Sequence, residues 1–236
     1  MSPDIEIIGD GCAALSLAAR ASELNHNIRL IKPSNAPTTN DHVWGFWSDP
    51  ILASAQQLAR ATWQKWAIIT HNDCAVLSSE TRPYNAFKRS DWSEHCKGLA
   101  ELSKVTIIAE HEWEKSADSL LFDTRPPVVP NDCMLQHFQG IEVKTKQPCF
   151  DKDMAILMDF RVDQSKGMHF IYLLPYSTTE ALVESTLFST ELVDEEFYST
   201  SIESYLKEHC EVEEFSITHQ EKGVIPLCKL GPHDAK

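Results

Sequence analysis

Three apolar segments of strand length follow one another between residues 154 and 189 and dominate the hydrophobic pattern of the chain. They read AILMDFRV, HFIYLLP and EALVESTLFS, and the connections QSKG and YSTTE have the polar or glycine-containing character of hairpin turns. The pattern predicts an antiparallel sheet. Alternation along the last strand places one set of side chains on a common face, namely Leu182, Glu184, Thr186 and Phe188.

Two carboxylates interrupt these apolar strands, Asp159 in the first and Glu184 in the last. Glu184 shares its predicted face with apolar neighbours, where desolvation would disfavour its charged form and keep it a proton donor near neutral pH. The alternative is a solvent-facing glutamate on a sheet with one wet side. Spacing alone leaves both interpretations open.

The N-terminal pattern is that of a strand, a glycine turn and a helix. An apolar run over residues 4–8 leads into GDGCAA and the helix formers LSLAA, and a second strand is predicted over 28–31. Gly9 would allow the tight turn, Gly11 would let a pyrophosphate approach the backbone, and Ala14 would permit close packing of helix on strand. These residues predict a Rossmann-type dinucleotide site, with an unliganded tight turn as the alternative.

Two features depart from the ideal dinucleotide fingerprint. Lys32 follows the second strand, where an acid would bind the ribose hydroxyls, and Asp10 places a negative charge near the phosphates. Arg125, in the segment DTRPP, could meet an anionic cofactor or simply pair with Asp123. Trp44, Phe46 and Trp47 could line an apolar ligand cavity or plug the edge of a sheet.

The remaining pattern supplies further elements. Asp49 and Pro50 predict the start of a helix that runs over residues 51–61, and other helices are predicted at 90–103 and 194–209. Strands are predicted over residues 66–71, 75–79, 105–110, 119–122, 134–144 and 215–226.

Composition and charge exclude several classes of function. The 236 residues carry a formal net charge of -14, which argues against binding nucleic acid or docking electrostatically on anionic lipid. Seven scattered cysteines, with no CxxC pair, indicate a reducing compartment and neither a zinc site nor a disulfide framework. The N-terminus does not resemble a secretory signal and no apolar run has membrane-spanning length. We therefore expect a cytoplasmic protein without a metal.

The chain resembles the lycopene cyclase family of carotenoid biosynthesis. The similarity extends from residue 5 to 226 and rests most specifically on MDFRV, FIYLLP and LVESTLFS, supported by IIGDGCAALSLA, HVWGFW, FDTRPP, LQHFQGIEV and EKGVIP. The resemblance implies an α/β architecture in which a Rossmann-type FAD/NAD(P)-binding domain is joined to an antiparallel β-sheet substrate domain. We expect the first domain at 1–127, with 50–95 partly inserted, the second at 128–228, and a tail at 229–236.

The resemblance also implies an isomerase that closes the linear ends of lycopene into β-ionone rings, with reduced FAD required, NAD(P)H as reductant and no net redox change. Glu184 matches the acid associated with proton donation, and Asp159 matches a second acidic position. Gly9, Gly11 and Ala14 would hold the cofactor, together with Arg125. Because lycopene is lipid-soluble, peripheral contact with the inner membrane face through apolar surface is expected.

The family's sequence continues beyond EKGVIP into a glycine-rich segment that contacts the flavin, so we expect a C-terminally shortened homologue. Two alternatives to a cyclase follow. One is a catalytically incompetent homologue that binds an apolar ligand, and the other is a different FAD-dependent oxidoreductase on the same fold.

Overall fold

The structure is a computed structural model that describes residues 4–24, 26–35, 41–126, 129–130 and 132–227. The chain divides into two compact units. The first comprises residues 1–41, 88–128 and 231–236, and the second comprises 42–87 and 129–230. Residues 42–87 thus group with the second unit, whereas the sequence pattern predicts 50–95 as a partial insertion in the first domain. The reason is a long-range strand pairing that local periodicity does not reveal.

The strands are, in chain order, β1 (Ile5–Ile8), β2 (Ile28–Lys32), β3 (Val43–Trp47), β4 (Ala61–Trp63), β5 (Lys65–Ile69), β6 (Cys74–Ser78), β7 (Tyr84–Lys88), β8 (Thr106–Ala109), β9 (Leu120–Asp123), β10 (Leu135–Thr145), β11 (Met154–Asp159), β12 (Met168–Pro175), β13 (Glu180–Ser189) and β14 (Phe215–Pro226). The α-helices are α1 (Cys12–Ala18), α2 (Ala21–Leu24), α3 (Ala53–Gln57), α4 (Arg89–Leu102) and α5 (Glu195–Cys210), and short 3-10 turns lie at Pro50–Leu52 and Glu110–Glu112.

The first unit contains a parallel sheet with the strand order β8-β2-β1-β9. Its central strands β1 and β2 are rich in isoleucine and leucine because a parallel sheet with helices on its faces is largely buried, and the one buried acid, Glu6, pairs with Arg29 at 3.2 Å. Small residues let the helices approach closely, since Ala14 of α1 and Ala100 of α4 lie in one buried cluster with Leu30 of β2. The predicted α/β arrangement is confirmed for this unit.

The second unit is built on a seven-stranded sheet with the order β14-β10-β13-β12-β11-β5-β6. The predicted hairpins β11-β12 and β12-β13 are both antiparallel, as the polar turns indicate. The sheet is nevertheless mixed rather than purely antiparallel, because β5 pairs with β11 in parallel. Helix α5 covers one face, where Ile202, Tyr205 and Leu206 pack with Leu173 and Val183.

A second, three-stranded sheet of this unit, β3-β7-β4, was not anticipated from the sequence. The helix predicted over 51–61 is accordingly too long: the Asp49 carboxylate accepts a hydrogen bond from the Ile51 amide at 3.1 Å, but α3 ends at Gln57. The residues that follow form β4, in which Ala61 pairs with Ala86 of β7. Strand pairing with a distant segment overrides the local helical pattern here.

Two expectations about composition are also answered. Five cysteines, Cys12, Cys74, Cys96, Cys149 and Cys210, are free thiols. In the described ranges, none of the helices is both long enough and apolar enough to cross a bilayer.

Candidate active site

A cavity of about 420 Å³ lies against one face of the seven-stranded sheet, within the second unit. It is lined mainly by aromatic and aliphatic side chains from β3, β7 and β10–β14, with few polar groups among them. The aromatic members are Trp44, Tyr84, Phe138, Phe170, Tyr172 and Phe188. Such a lining is typical of a site for an apolar small molecule.

Glu184 projects into this cavity from β13. Leu182, Thr186 and Phe188 line the cavity with it, which confirms the predicted common face, while Val183 packs on the other side of the sheet with α5. The Thr186 hydroxyl donates a hydrogen bond to a Glu184 carboxyl oxygen at 2.6 Å. Burial raises the pKa of Glu184 to about 7, and the Thr186 hydrogen bond offsets only part of that effect. A carboxyl group in this setting retains a proton near neutral pH.

A second acid, Glu221 of β14, lies across β10 from Glu184 and was not among the residues predicted from the sequence. Its side chain is buried, and one carboxyl oxygen accepts a hydrogen bond from the Val43 amide at 2.9 Å. The same oxygen lies 3.4 Å from Nε2 of His219. Burial, reinforced by the charge of Glu184, raises the pKa of Glu221 to about 8. The sequence signal was weak because β14 has no regular alternation of apolar and polar residues.

Gly140 of β10 lies between the two acids. It pairs with Glu184 of β13 on one side and with Glu221 of β14 on the other. A Cβ atom at this position would lie 3.2 Å from Cγ of Glu221 and 3.4 Å from Cβ of Glu184. The glycine therefore leaves both glutamate side chains room on the cavity face of the sheet.

The aromatic cluster predicted as either a cavity wall or a plug is divided between the two roles. Trp44 lines the cavity, whereas Phe46 packs on Phe87 at a ring-centroid distance of 5.2 Å. Trp47 packs edge-on against Trp66, with ring centroids 4.5 Å apart. Trp44 and Phe46 are two residues apart, so they share one face of β3, and both contact Phe87. Trp47 lies on the other face and also contacts Tyr84, with ring centroids 4.9 Å apart.

Position 45, between these aromatic residues, requires a glycine because the Tyr84 side chain packs directly against its backbone. A Cβ atom at Gly45 would lie 1.7 Å from the Tyr84 hydroxyl oxygen, which is itself hydrogen-bonded to the Tyr172 hydroxyl. Burial raises the pKa of Tyr84 to about 12, so this hydroxyl stays neutral in the cavity wall.

We expect Gly45→Ala to lower the free energy of unfolding by about 1–3 kcal/mol, because the added methyl group must displace the buried Tyr84 ring. Urea denaturation followed by tryptophan fluorescence measures the change. Gly98→Ala in α4 is the matched control, since no atom lies within 4 Å of its added Cβ; alanine in a helix interior should raise stability by roughly 0.5–1 kcal/mol. Equal stability of Gly45→Ala and the unsubstituted chain would contradict the close approach of Tyr84.

Asp159 occupies a different environment, on the face of the sheet covered by α5. It is fully buried and accepts hydrogen bonds from Nε and Nη2 of Arg161 at 2.9 and 2.6 Å and from the Tyr205 hydroxyl at 2.9 Å. Burial opposes ionisation, but these bonds outweigh it and lower the pKa of Asp159. The residue predicted as a second catalytic acid is thus an ion-paired anion that does not line the cavity.

The glycine turn of the first unit has the geometry that its residues indicate. Gly9 has a φ of +134°, and a Cβ atom there would lie 2.1 Å from Oγ1 of Thr124. Gly11 precedes α1, no atom lies within 4 Å of its added Cβ, and no side chain caps the helix. Ala14 is fully buried, and its Cβ would lie 3.4 Å from a Cβ added at Gly9. The turn is therefore open at Gly11, where a pyrophosphate is predicted to approach.

Arg125 adopts the second of its two predicted roles. Its guanidinium donates to both carboxyl oxygens of Asp123, the shortest distance being 2.6 Å from Nη2, and its Nη1 donates to Glu110 at 3.0 Å. The arginine is therefore engaged by acids, and its predicted contact with an anionic cofactor is not favoured. Lys32 is exposed, and the acid beside the end of β2 is Glu110, which accepts a hydrogen bond from the Ser34 amide at 2.8 Å.

Comparisons with known proteins show the family. The family model described as lycopene cyclase protein matches residues 4–235. The lycopene beta-cyclase of Paracoccus sp. (strain N81106 / MBIC 01143) is 32% identical, over 100% of this chain and 63% of the relative. The chain thus spans less than two thirds of the length of that curated relative.

Solved structures with little sequence identity share the fold. A geranylgeranyl bacteriochlorophyll reductase-like protein from Thermoplasma acidophilum superposes with a TM-score of 0.66 at 11% identity, over 96% of this chain and 67% of its own. A flavin-dependent halogenase from Xanthomonas campestris gives a TM-score of 0.62 at 9% identity, over 94% and 61% of the two chains. The family itself follows from the sequence match over almost the whole chain: this protein belongs to the lycopene cyclase family.

Proposed function

We propose that the chain is a lycopene cyclase-type flavoprotein that closes the linear ends of lycopene, or of a related apolar polyene, by acid catalysis. The observation that carries this proposal is the position of Glu184. Its carboxyl group keeps a proton near neutral pH and faces a cavity of aromatic and aliphatic side chains. Family membership supplies the class of substrate, and the cavity supplies the chemistry.

Protonating a carbon–carbon double bond requires an acid that is neutral at the working pH, and it produces a carbocation that water would capture. Glu184 meets the first requirement, and a bound polyene packed against the apolar lining would displace water from the site. Faces of Trp44, Phe138 and Tyr172 around the cavity would stabilise the positive charge. The carboxylate left on Glu184 would then take a proton from a neighbouring carbon, so that a ring forms without net gain or loss of protons or electrons.

The first unit fits the pyrophosphate of FAD. Gly9, Gly11 and Ala14 would form the turn, and the uncapped amides at the start of α1 would face the phosphates. Glu110, beside the end of β2, would be the acid nearest to a ribose there, and its present partners are Arg125 and the Ser34 amide. Bound FAD, reduced by NAD(P)H, would supply an electron-rich ring system without being consumed.

The test is production of the chain in cells that accumulate lycopene, followed by purification and assay with FAD, NADPH and lycopene in liposomes. We expect a cyclised carotenoid of the same mass as lycopene, and one deuterium per ring when the assay is run in D2O, because the added proton comes from an exchangeable carboxyl group.

Three results would contradict the proposal. Folded, flavin-containing protein that yields no cyclised product excludes a cyclase. A product that has gained or lost hydrogen would indicate an oxidoreductase instead. Lycopene retained unchanged by flavin-free protein would indicate a ligand-binding homologue.

A further inference from the structure

The buried acid across β10 from Glu184 has no assigned role in the cyclisation described above. We propose that Glu221 and Glu184 form a proton-sharing pair, in which Glu221 acts as a positioning residue that keeps a proton available to Glu184. This inference rests on the proposed function and deepens it, because it concerns how the same site is kept loaded with its proton.

The sheet register brings the two acids together. Strand β10 lies between β13 and β14, and Gly140 of β10 is directly opposite both Glu184 and Glu221. The two side chains lie on the same face of the sheet, on either side of a residue without a Cβ atom. Two negative charges in this partly desolvated space would repel each other strongly, so the pair retains one proton when isolated carboxylates would have lost both.

No lysine or arginine of the described residues is placed to neutralise the charge of Glu221 in the way that a proton does. Nε2 of His219, on the same strand, lies 3.4 Å from a Glu221 carboxyl oxygen, and the Val43 amide of β3 donates a hydrogen bond to that oxygen. Glu142 of β10, which pairs with His219, is a further acid nearby. The closest contacts of Arg60 are with Glu142, at 2.5 Å, and with the Tyr176 ring, whose centroid is 3.8 Å from the guanidinium carbon. Within the described ranges, no lysine or arginine nitrogen lies within 4 Å of a carboxyl oxygen of Glu184 or Glu221.

The pair explains how the proton returns after donation. When Glu184 of the singly protonated pair transfers its proton to a polyene carbon, both acids are negative next to a carbocation. Once the cation loses a proton from a neighbouring carbon to the Glu184 carboxylate, both the cation and the repulsion between the acids disappear. The O–H bond broken in the first step is re-formed in the second, and no other reactant is needed. Repulsion within the pair therefore favours deprotonation of the cation.

The test compares the pH dependence of cyclisation in the unsubstituted chain and in Glu221→Gln, which keeps an acceptor for the Val43 amide. We expect the alkaline limb of the activity profile to move by about one pH unit toward lower pH in the variant. A single carboxyl group loses its proton at a lower pH than two interacting carboxyl groups lose their last shared proton. At pH 6 the two proteins should differ by less than about threefold, since Glu184 remains protonated. Glu214→Gln is the control, since it removes the same charge from a residue that is 79% exposed and paired with Lys146.

Infrared spectroscopy of the neutral carboxyl carbonyl band gives a readout that does not depend on turnover. In Glu184→Gln, we expect Glu221 to lose its proton at a lower pH than in the unsubstituted chain, because the neighbouring charge is gone. A purely structural role of Glu221 would change stability but would not move either titration.

The outcomes separate the pair from the proposed function. An alkaline limb that stays in place, or a folded Glu221→Gln variant that is inactive at every pH, would overturn proton sharing in an active cyclase. If the unsubstituted chain is inactive but the two infrared titrations are coupled, the proposed function fails and the pair stands. If the titration of Glu221 is the same with and without Glu184, the pair is refuted regardless of activity.

Discussion

Glu184→Gln is expected to reduce cyclised product by at least about a hundredfold while leaving the fold intact, because general acid catalysis by a positioned group contributes on the order of 10²–10⁴ in rate. Glutamine has nearly the same shape and can still accept the Thr186 hydrogen bond, but its amide cannot protonate a polyene. The measurement is the amount of ring product formed from lycopene at pH 6–7 by equal amounts of flavin-loaded protein.

Glu180→Gln is the matched control on the same strand. Glu180 is 39% exposed and pairs with Lys144 at 2.7 Å, so removing its charge should change activity by less than about twofold. A Glu184→Gln variant that keeps more than about a tenth of the activity would exclude this residue as the principal proton donor.

The same substitution has a consequence for stability that can be measured without substrate. The pKa of Glu184 rises from the model-peptide value of 4.5 to about 7 on folding, so the folded state holds the proton over a pH range in which the unfolded chain has lost it. The contribution of Glu184 to stability is therefore greatest below pH 4.5 and decreases as the pH rises toward 7. Glu184→Gln should therefore have a higher melting temperature than the unsubstituted chain between pH 5 and 8. At pH 4 the two melting temperatures should be nearly equal.

Asp159→Ala is expected to lower the free energy of unfolding by about 2–4 kcal/mol. The substitution removes the partner of Arg161 and leaves the hydroxyl of the buried Tyr205 without its acceptor. Because the Arg161 side chain is 31% exposed and can be partly rehydrated, the loss should be below that of a fully buried ion pair. Urea denaturation at pH 7 measures it, and Asp159→Asn should lose less because the amide oxygen still accepts a hydrogen bond.

The pH dependence of this effect has the opposite sign to that of Glu184. The folded pKa of Asp159 is lowered, so its contribution is present above the unfolded value of 3.8 and is lost as the pH falls through the lower folded value. The difference in unfolding free energy between the unsubstituted chain and Asp159→Asn should therefore become smaller below pH 4. Asp153→Ala, at a residue 72% exposed, should change stability by less than about 0.5 kcal/mol. If Asp159→Ala were fully stable but inactive, Asp159 would be a catalytic acid after all.

Residues of one strand illustrate how much of the site was predictable. Alternation along EALVESTLFS is local, because successive side chains of any strand point to opposite faces, and it correctly grouped Glu184 with Leu182, Thr186 and Phe188. The same alternation could not state whether that face met solvent or a cavity. That answer required β3 and β7, whose pairing in a separate small sheet has no local signal.

Sequence by itself determined the parallel α/β core of the first unit, the hairpins from β11 to β13, the tight turn at Gly9 and the family, because each depends on residues close together in the chain or on motifs read in order. Tertiary structure alone decided the surroundings of each acid. The register of β13 and β14 on β10 places Glu221 across Gly140 from Glu184. Asp159 lies on the sheet face covered by α5, where it binds Arg161 and Tyr205. Contacts between strands and helices distant in sequence set these environments, and the environment decides whether a carboxyl group holds its proton.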